Sequence, residues 1–184
     1  MSLHSSAVER LTRWRAPDVE QDSLRHTYLA FLAANPDACL RRSASGHLTA
    51  SAVVLDDRGT HTLLTLHPRI GRWVQLGGHM EPDDPLIDAA ALREATEESG
   101  LSGLRLTSIA RLHTHPITCS LGVPTRHLDV QFCAVARRDS SGRLPEPAIS
   151  DESTDLAWWP VDALPENADT PTLRPLIAAG VRLI

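Results

Sequence analysis

The sequence predicts an α/β or α+β fold, in which helices pack on a mixed β-sheet and an N-terminal helical extension precedes the sheet. Runs rich in Val, Ala and Thr begin at residue 47 and alternate with helical patterns. The 184 residues, 42% hydrophobic and 22% charged, suit one compact domain. We expect the helical extension at residues 1–45 and the domain at 46–184.

The N-terminal extension is predicted from helical spacing of apolar residues over positions 5–35. Pro17 divides this stretch into two helices, and Asn35-Pro36 ends the second one. We expect the two helices to pack on the domain or on a partner chain.

Strand patterns and turn signals define the rest of the fold. The predicted strands cover residues 47–55, 60–67, 73–76, 104–114, 127–136 and 155–159. The first two should form a hairpin across the turn at 56–59, and residues 116–126 should be a loop. A helix is predicted for 171–184.

Charge and composition exclude several classes of protein. The net charge is −5 and there is no basic run, so we predict no nucleic-acid partner. No apolar stretch is long enough to cross a bilayer and no leader pattern is visible, so we expect a cytoplasmic protein without a membrane partner. All 18 basic residues are arginine, which excludes lysine Schiff-base chemistry.

The three cysteines Cys39, Cys119 and Cys133 lack CxxC spacing. They are typical of reduced thiols rather than of a disulfide framework.

A central helix is predicted over residues 86–99. Asp84 is the expected N-cap, Pro85 the first helical residue and Gly100 the C-terminal stop. Gly77-Gly78, which follow an apolar run, indicate either a close approach of the backbone to another group or a turn with positive φ.

Three carboxylates follow one another on this helix. Glu94, Glu97 and Glu98 have i, i+3 and i+4 spacing, so they share a face that should lean toward the sheet. Each like-charge pair costs roughly 0.2–0.5 kcal/mol in an isolated helix. A divalent cation would offset this cost, and oxygen ligands favour Mg²⁺ or Mn²⁺. The alternative is a solvated helix face paired with Arg93.

The stretch Gly78-(5)-Asp84-(8)-Arg93-Glu94-Ala95-Thr96-Glu97-Glu98-Ser99-Gly100-Leu101 resembles the Nudix box, G-x5-E-x7-R-E-U-x-E-E-x-G-U with U apolar. It departs from that pattern at Asp84, which replaces a glutamate, and by one extra residue before Arg93. The similarity extends over about residues 48–165 and includes the Leu156-Ala157-Trp158-Trp159-Pro160 segment.

This resemblance implies an α/β/α sandwich with a mixed sheet. It also implies Mg²⁺- or Mn²⁺-dependent hydrolysis of a phosphoanhydride (pyrophosphate) bond in a nucleoside diphosphate linked to a moiety X. The metal ligands would be the Gly78 carbonyl, Glu94, Glu97 and Glu98. Either Glu94 or Glu98 would orient or deprotonate the attacking water, and Arg93 would hold a glutamate through a structural ion pair.

Some relatives use a further base from a late loop. Glu152 is the candidate here, with Asp151 next. The alternative is that both are solvated loop acids.

Histidines form a second candidate site. His113 and His115 share one face of a predicted strand, and His127 and Asp129 share a face of the next. If the two strands pair, three imidazoles and a carboxylate could form a zinc site or contact phosphate. His79 follows the double glycine and would either contact substrate or metal or shape the loop.

Arg72 and Trp73 precede the glycines. Trp73 could stack on a base while Arg72 binds phosphate; the alternative is a tryptophan that anchors the sheet to a helix. The expected partner is a small nucleotide-like substrate, and a homodimer through the N-terminal helices remains open.

Two other functions compete with hydrolysis. One is a catalytically inactive Nudix-fold sensor that binds a nucleotide without turnover. The other is an isopentenyl-diphosphate isomerase-like protein, which would need a cysteine near the glycine loop, where this chain has Leu76, Gly77 and Gly78.

Overall fold

The computed structural model describes residues 2–118, 122, 124–150 and 153–184. Within them the chain forms helices and strands in this order: α1 (Leu3–Arg13), α2 (Val19–Ala34), β1 (His47–Asp56), β2 (His61–His67), β3 (Arg72–Val74), β4 (Leu76–His79), α3 (Ile87–Ser99), β5 (Arg105–Thr118), β6 (Pro124–Ala136), β7 (Asp155–Pro160) and α4 (Thr170–Val181). Both predicted N-terminal helices and the predicted C-terminal helix are confirmed.

The strands form one mixed sheet. Its main order is β3-β2-β1-β6-β5, β4 pairs with the first half of β1, and β7 pairs with β2. β1 and β6 run parallel from the His47–His127 pair to the Asp56–Ala136 pair, and the other pairings are antiparallel. The predicted β1–β2 hairpin is confirmed.

Each face of the sheet is covered by helices, so the predicted α/β/α layering is confirmed. Alternating apolar residues of β1, which include Leu48, Ala50 and Ala52, pack in one core with α3 and the N-terminal helices. On the opposite face, Val53 and Leu55 pack with α4. The start of that second face carries the polar residues His47, Thr49 and Ser51 instead.

The N-terminal helices dock on β5, an edge strand of the sheet. The Trp14 indole Nε1 donates to the Ile109 carbonyl over 2.9 Å, and the Tyr28 hydroxyl donates to the His113 carbonyl over 2.7 Å. The Gln21 side chain accepts from the Leu112 N–H (2.7 Å) and donates to the Leu112 carbonyl (3.2 Å). The helices were expected to pack on the domain or on a partner chain, and the structure shows them on the domain's own sheet.

Two local predictions were wrong. The expected loop at 116–126 is shorter, because β5 continues to Thr118 and β6 begins at Pro124. A proline such as Pro116 is tolerated there because β5 is an edge strand.

Asp84 is also not the helix N-cap, and Pro85 is not the first helical residue, because α3 begins at Ile87. Leu86 holds the N-cap position without a side-chain hydrogen bond, and the Asp84 carboxylate is engaged elsewhere.

No helix among the described residues is both long enough and apolar enough to cross a membrane.

Candidate active site at the glycine strand

The two glycines lie in strand β4, where they allow close contact on both sides. A Cβ at Gly77 would lie 2.3 Å from Cα of Ser51 on β1, and Gly77 has a positive φ of 141°. A Cβ at Gly78 would lie 2.7 Å from the Glu94 carboxylate. The predicted close approach of the backbone is therefore confirmed, and it brings the glycine strand against helix α3.

The three glutamates differ in their surroundings. Glu94 is buried under Gly78, with 9% of its surface exposed. Glu98 is half-buried, and its Oε2 accepts from the Gly77 N–H over 2.9 Å. The side chain of Glu97 is 61% exposed. The expectation that all three lean toward the sheet therefore holds for Glu94 and Glu98 and is wrong for Glu97, which is exposed but bonded to Arg93 beside Glu94.

Arg93 joins these acids. It donates two hydrogen bonds to Asp84 (3.0 and 2.9 Å) and one each to Glu94 and Glu97 (both 3.0 Å). Its fifth contact is the His79 carbonyl at 3.2 Å. The hydrogen bonds that Arg93 donates to Asp84 raise the pKa of its guanidinium; burial opposes this, and the charge of Glu94 and the hydrogen bond to Glu97 add to it. The side chain therefore fixes the loop, the helix and the glycine strand together.

Asp84 reaches Arg93 despite the extra residue in the motif. Burial alone would raise the pKa of its carboxyl, but the Arg93 guanidinium and the Glu81 N–H outweigh burial and lower it. The short aspartate thus stays ionised.

The arrangement fits a divalent cation. Four carboxylates, from Asp84 and the three glutamates, lie close together around one guanidinium and the glycine strand, which leaves an excess of negative charge. The donor set is oxygen only, and such sites suit Mg²⁺ or Mn²⁺.

The predicted histidine face exists. His113 lies opposite Asp129 and His115 lies opposite His127, so the predicted strand pairing is confirmed. The rings of His115 and His127 are 5.1 Å apart, and those of His113 and His115 are 5.6 Å apart.

The histidines that come together are not the set that was predicted. The group that could share one ion consists of His47, His79 and His127, which each offer a ring nitrogen, all within 4.8 Å of one another. Asp129 is buried and accepts from Thr49 and Ser51 at 2.9 and 2.7 Å, so it serves as a hydrogen-bond acceptor beside the group. Sequence reasoning missed His47, because only the parallel β1–β6 pairing brings it opposite His127.

These imidazoles are uncharged near neutral pH. Burial, followed by Arg41 and His47, lowers the pKa of His79 to about 4. Burial and the neighbouring rings, with Arg41, lower the pKa of His127 to about 3. Burial also lowers the pKa of His47 and His115.

The substrate role predicted for Trp73 stays a prediction, and its surroundings favour the alternative. Only 6% of its surface is exposed, and its ring packs edge-on against Trp159 at 5.5 Å. The alternative, an anchor for the sheet, fits its position in the core beside α4. Arg72 is exposed and pairs with Asp169 at 3.3 Å, so its role toward phosphate stays a prediction.

Glu152, Asp151 and Cys119 lie outside the described residues. The roles predicted for them therefore stay predictions.

A cavity of about 280 Å³ lies elsewhere, between α1, β5 and α4, and is lined by Arg10, Arg13, Trp14 and Arg182 among others. None of the predicted site residues lines it, so we do not assign the chemistry to it.

Comparison with known proteins agrees with this site. A family model described as NUDIX domain matches residues 46–179. A Nudix-family hydrolase from Clostridium perfringens has a similar structure, with a TM-score of 0.56 and 23% identity over 75% of this chain and 98% of that one. The Escherichia coli dihydroneopterin triphosphate pyrophosphohydrolase is similar with a TM-score of 0.58 and 20% identity, and the match covers 73% of this chain and 94% of that one. A Caenorhabditis elegans Ap4A hydrolase is similar with a TM-score of 0.54 and 19% identity, and the match covers 72% of this chain and 93% of that one.

No curated protein matched the chain in the comparison of sequences. The low identities of the solved structures support the fold alone. The family model covers more than half of the chain, and it matches across the glycine strand and helix α3. In its enzyme class, the protein is a hydrolase that acts on pyrophosphate bonds. The chain belongs to the Nudix family.

Proposed function

We propose that the protein hydrolyses a phosphoanhydride bond in a nucleoside diphosphate linked to a further moiety, with the help of Mg²⁺ or Mn²⁺. The observation that carries this proposal is the set of carboxylates which α3 presents to the glycine strand, with Arg93 fixed among them. A solvated helix face would not bury Glu94 beneath Gly78.

The metal ligands in this proposal are the Gly78 carbonyl, Glu94, Glu97 and Glu98. A divalent ion bound there supplies positive charge against the diphosphate and activates water. Glu94 or Glu98 orients the attacking water and accepts its proton. Arg93 is a positioning residue, because it holds Glu94 and Glu97 in place through their carboxylates.

The polar start of the second sheet face supplies a place for the substrate. It adjoins the glycine strand, since His79 lies opposite Thr49 on β1. The His113 and His115 imidazoles on this face can donate hydrogen bonds to phosphate oxygens, whereas the Thr49 and Ser51 hydroxyls already donate to Asp129. Two of the similar structures are an Ap4A hydrolase and a dihydroneopterin triphosphate pyrophosphohydrolase. Their names support a substrate with a phosphate chain.

The first test is a screen with Mg²⁺ and Mn²⁺ across nucleoside triphosphates, dinucleotides, ADP-ribose and nucleotide sugars, read as release of phosphate products. Turnover should disappear with EDTA. Glu98→Gln should lower kcat/KM by about 100-fold or more, because the ligand loses its charge. Glu97→Gln should lower it too.

The matched control is Glu20→Gln, since Glu20 is exposed on α2 and touches none of these groups. Full activity in both Glu97→Gln and Glu98→Gln would contradict the proposal. Nucleotide binding without hydrolysis, even with Mn²⁺, would favour an inactive sensor instead.

A further inference from the structure

His47, His79 and His127 lie together at one end of the sheet. We propose that these three imidazoles form a Zn²⁺ site separate from the carboxylates. The residues come from three strands, β1, β4 and β6, which meet at the start of β1. Their rings lie 5.0–5.1 Å apart, centroid to centroid.

The spacing of the ring nitrogens matches a bound ion. Zn–N bonds of about 2.0–2.1 Å in a tetrahedron place two ligand nitrogens about 3.3 Å apart. His79 Nε2 and His47 Nε2 are 3.1 Å apart, and one nitrogen from each of the three rings lies within 4.8 Å of the others. Nitrogens 4.8 Å apart would have to approach one another by about 1.5 Å to reach that spacing.

An ordinary hydrogen bond explains only two of the three rings. His47 Nδ1 donates to the Ser43 carbonyl over 3.3 Å, so its Nε2 can accept from the His79 Nε2–H. His127 Nε2 is buried and has no hydrogen-bond partner among the described residues. A buried polar atom without a partner is costly, and a shared metal ion would satisfy it.

One neighbouring contact suits a metal ligand, and another must change when the ion binds. The bond from His47 Nδ1 to the Ser43 carbonyl fixes that ring with Nε2 facing the group, as second-sphere acceptors do in zinc sites. Arg41 donates to His79 Nδ1 over 2.9 Å. Because a guanidinium has only donors, this exposed arginine must turn away when His79 binds the ion through Nε2 and carries its hydrogen on Nδ1.

The ligand set selects the metal and leaves a coordination position. Three neutral imidazoles favour Zn²⁺ and its neighbours over Mg²⁺, which prefers oxygen. Three protein ligands leave the fourth tetrahedral position for an oxygen ligand, and His115 lies next to His127 on the same face. The site is linked to the carboxylates through one residue, because Arg93 donates to the backbone carbonyl of His79.

The test uses the full chain and Co²⁺ as a spectroscopic probe for Zn²⁺. We expect one tightly bound Co²⁺ per chain with the strong visible absorption of tetrahedral coordination. An equivalent of Zn²⁺ should displace it and an excess of Mg²⁺ should not. Zn²⁺ should also raise the Tm of the wild-type chain. The absence of tight Co²⁺ binding, or displacement by Mg²⁺, would overturn the proposal.

Variants locate the ion. His127→Gln should weaken Co²⁺ binding by about 100-fold or more, since even second-sphere partners are worth about 10–100-fold. His113→Asn is the matched control, because His113 lies on the same sheet face but outside the group, and it should bind normally. Equal affinity in His127→Gln would overturn the proposal. If His127→Gln does not fold, the wild-type spectrum decides alone.

Glu98→Gln separates this site from the proposed hydrolytic one. It should keep the Co²⁺ absorption even though it loses turnover. Loss of the absorption in Glu98→Gln would place the ion at the carboxylates and overturn the proposal.

Discussion

Arg93 shows how one side chain can order an active site. Its planar, five-donor group reaches Asp84, Glu94, Glu97 and the His79 carbonyl at the same time. The motif in the sequence predicted an ion pair with a glutamate. The bond to Asp84 could not be predicted, since the one-residue insertion leaves the distance between Asp84 and Arg93 undefined until the loop is folded.

Arg93→Lys tests this positioning role. A lysine ammonium keeps the charge but cannot form the two-pronged bond to Asp84 and also reach both glutamates. We expect kcat to fall about 10-fold or more, and the Mg²⁺ concentration for half-maximal activity to rise, while KM for the substrate changes little. Arg13→Lys on α1 is the control, because Arg13 is exposed and pairs with Glu9, away from α3. An unchanged Mg²⁺ requirement would show that Arg93 does not position the ligands.

At the scale of the elements, the β1–β2 connection depends on a buried aspartate. Asp56 accepts from the N–H groups of Thr60 and His61, both at 2.7 Å, and from Arg138 at 2.9 Å. Burial would raise the pKa of this carboxyl, but the His61 N–H, Arg138 and Thr60 outweigh it and lower the pKa. The charged carboxylate therefore stabilises the turn.

Asp56→Asn should reduce the free energy of unfolding by about 2–3 kcal/mol at pH 7, as loss of a buried charged hydrogen-bond acceptor does. Because the folded pKa lies below the unfolded value of about 3.9, this stability is present above the unfolded pKa. It is lost as the pH falls through the folded value. Urea unfolding should show a large difference in the free energy of unfolding between variant and wild type at pH 7, and a smaller difference at pH 3. Asp57→Asn, at the exposed neighbour, is the control. A difference that stays constant with pH would contradict this account.

Elements built from local signals were predicted well, and those built from distant contacts were not. Two helices split by Pro17, the β1–β2 hairpin and the helix stop at Gly100 all depend on residues near in sequence. The parallel pairing of β1 with β6 joins residues 80 positions apart, so periodicity could not reveal that His47 meets His127. The burial of Trp73 is likewise a tertiary effect of α4 and Trp159.

For the molecule as a whole, the N-terminal helices complete the sheet. Trp14, Gln21 and Tyr28 bind backbone groups of β5, which no further strand of the described residues covers. The division into an extension at 1–45 and a domain at 46–184 stays a prediction. The family model matches only from residue 46, whereas the core contains Leu11, Tyr28 and Leu32 from the helices.

Gln21→Leu tests this docking. It keeps the size of the side chain but leaves the Leu112 N–H and carbonyl without their partner, in a position where Gln21 is only 2% exposed. We expect the free energy of unfolding to fall by about 2–3 kcal/mol and amide exchange at Leu112 to speed up. Ser23→Ala, exposed on the same helix, should change neither. Unchanged exchange at Leu112 would mean that the glutamine does not protect the strand.

The side-chain amide of Gln21 takes the place of a neighbouring strand, because it donates one hydrogen bond to Leu112 and accepts one from it. A second molecule therefore cannot pair a strand with β5 at Leu112 while the helix is seated there. Sheet-to-sheet association at this stretch would first require α2 to leave the strand.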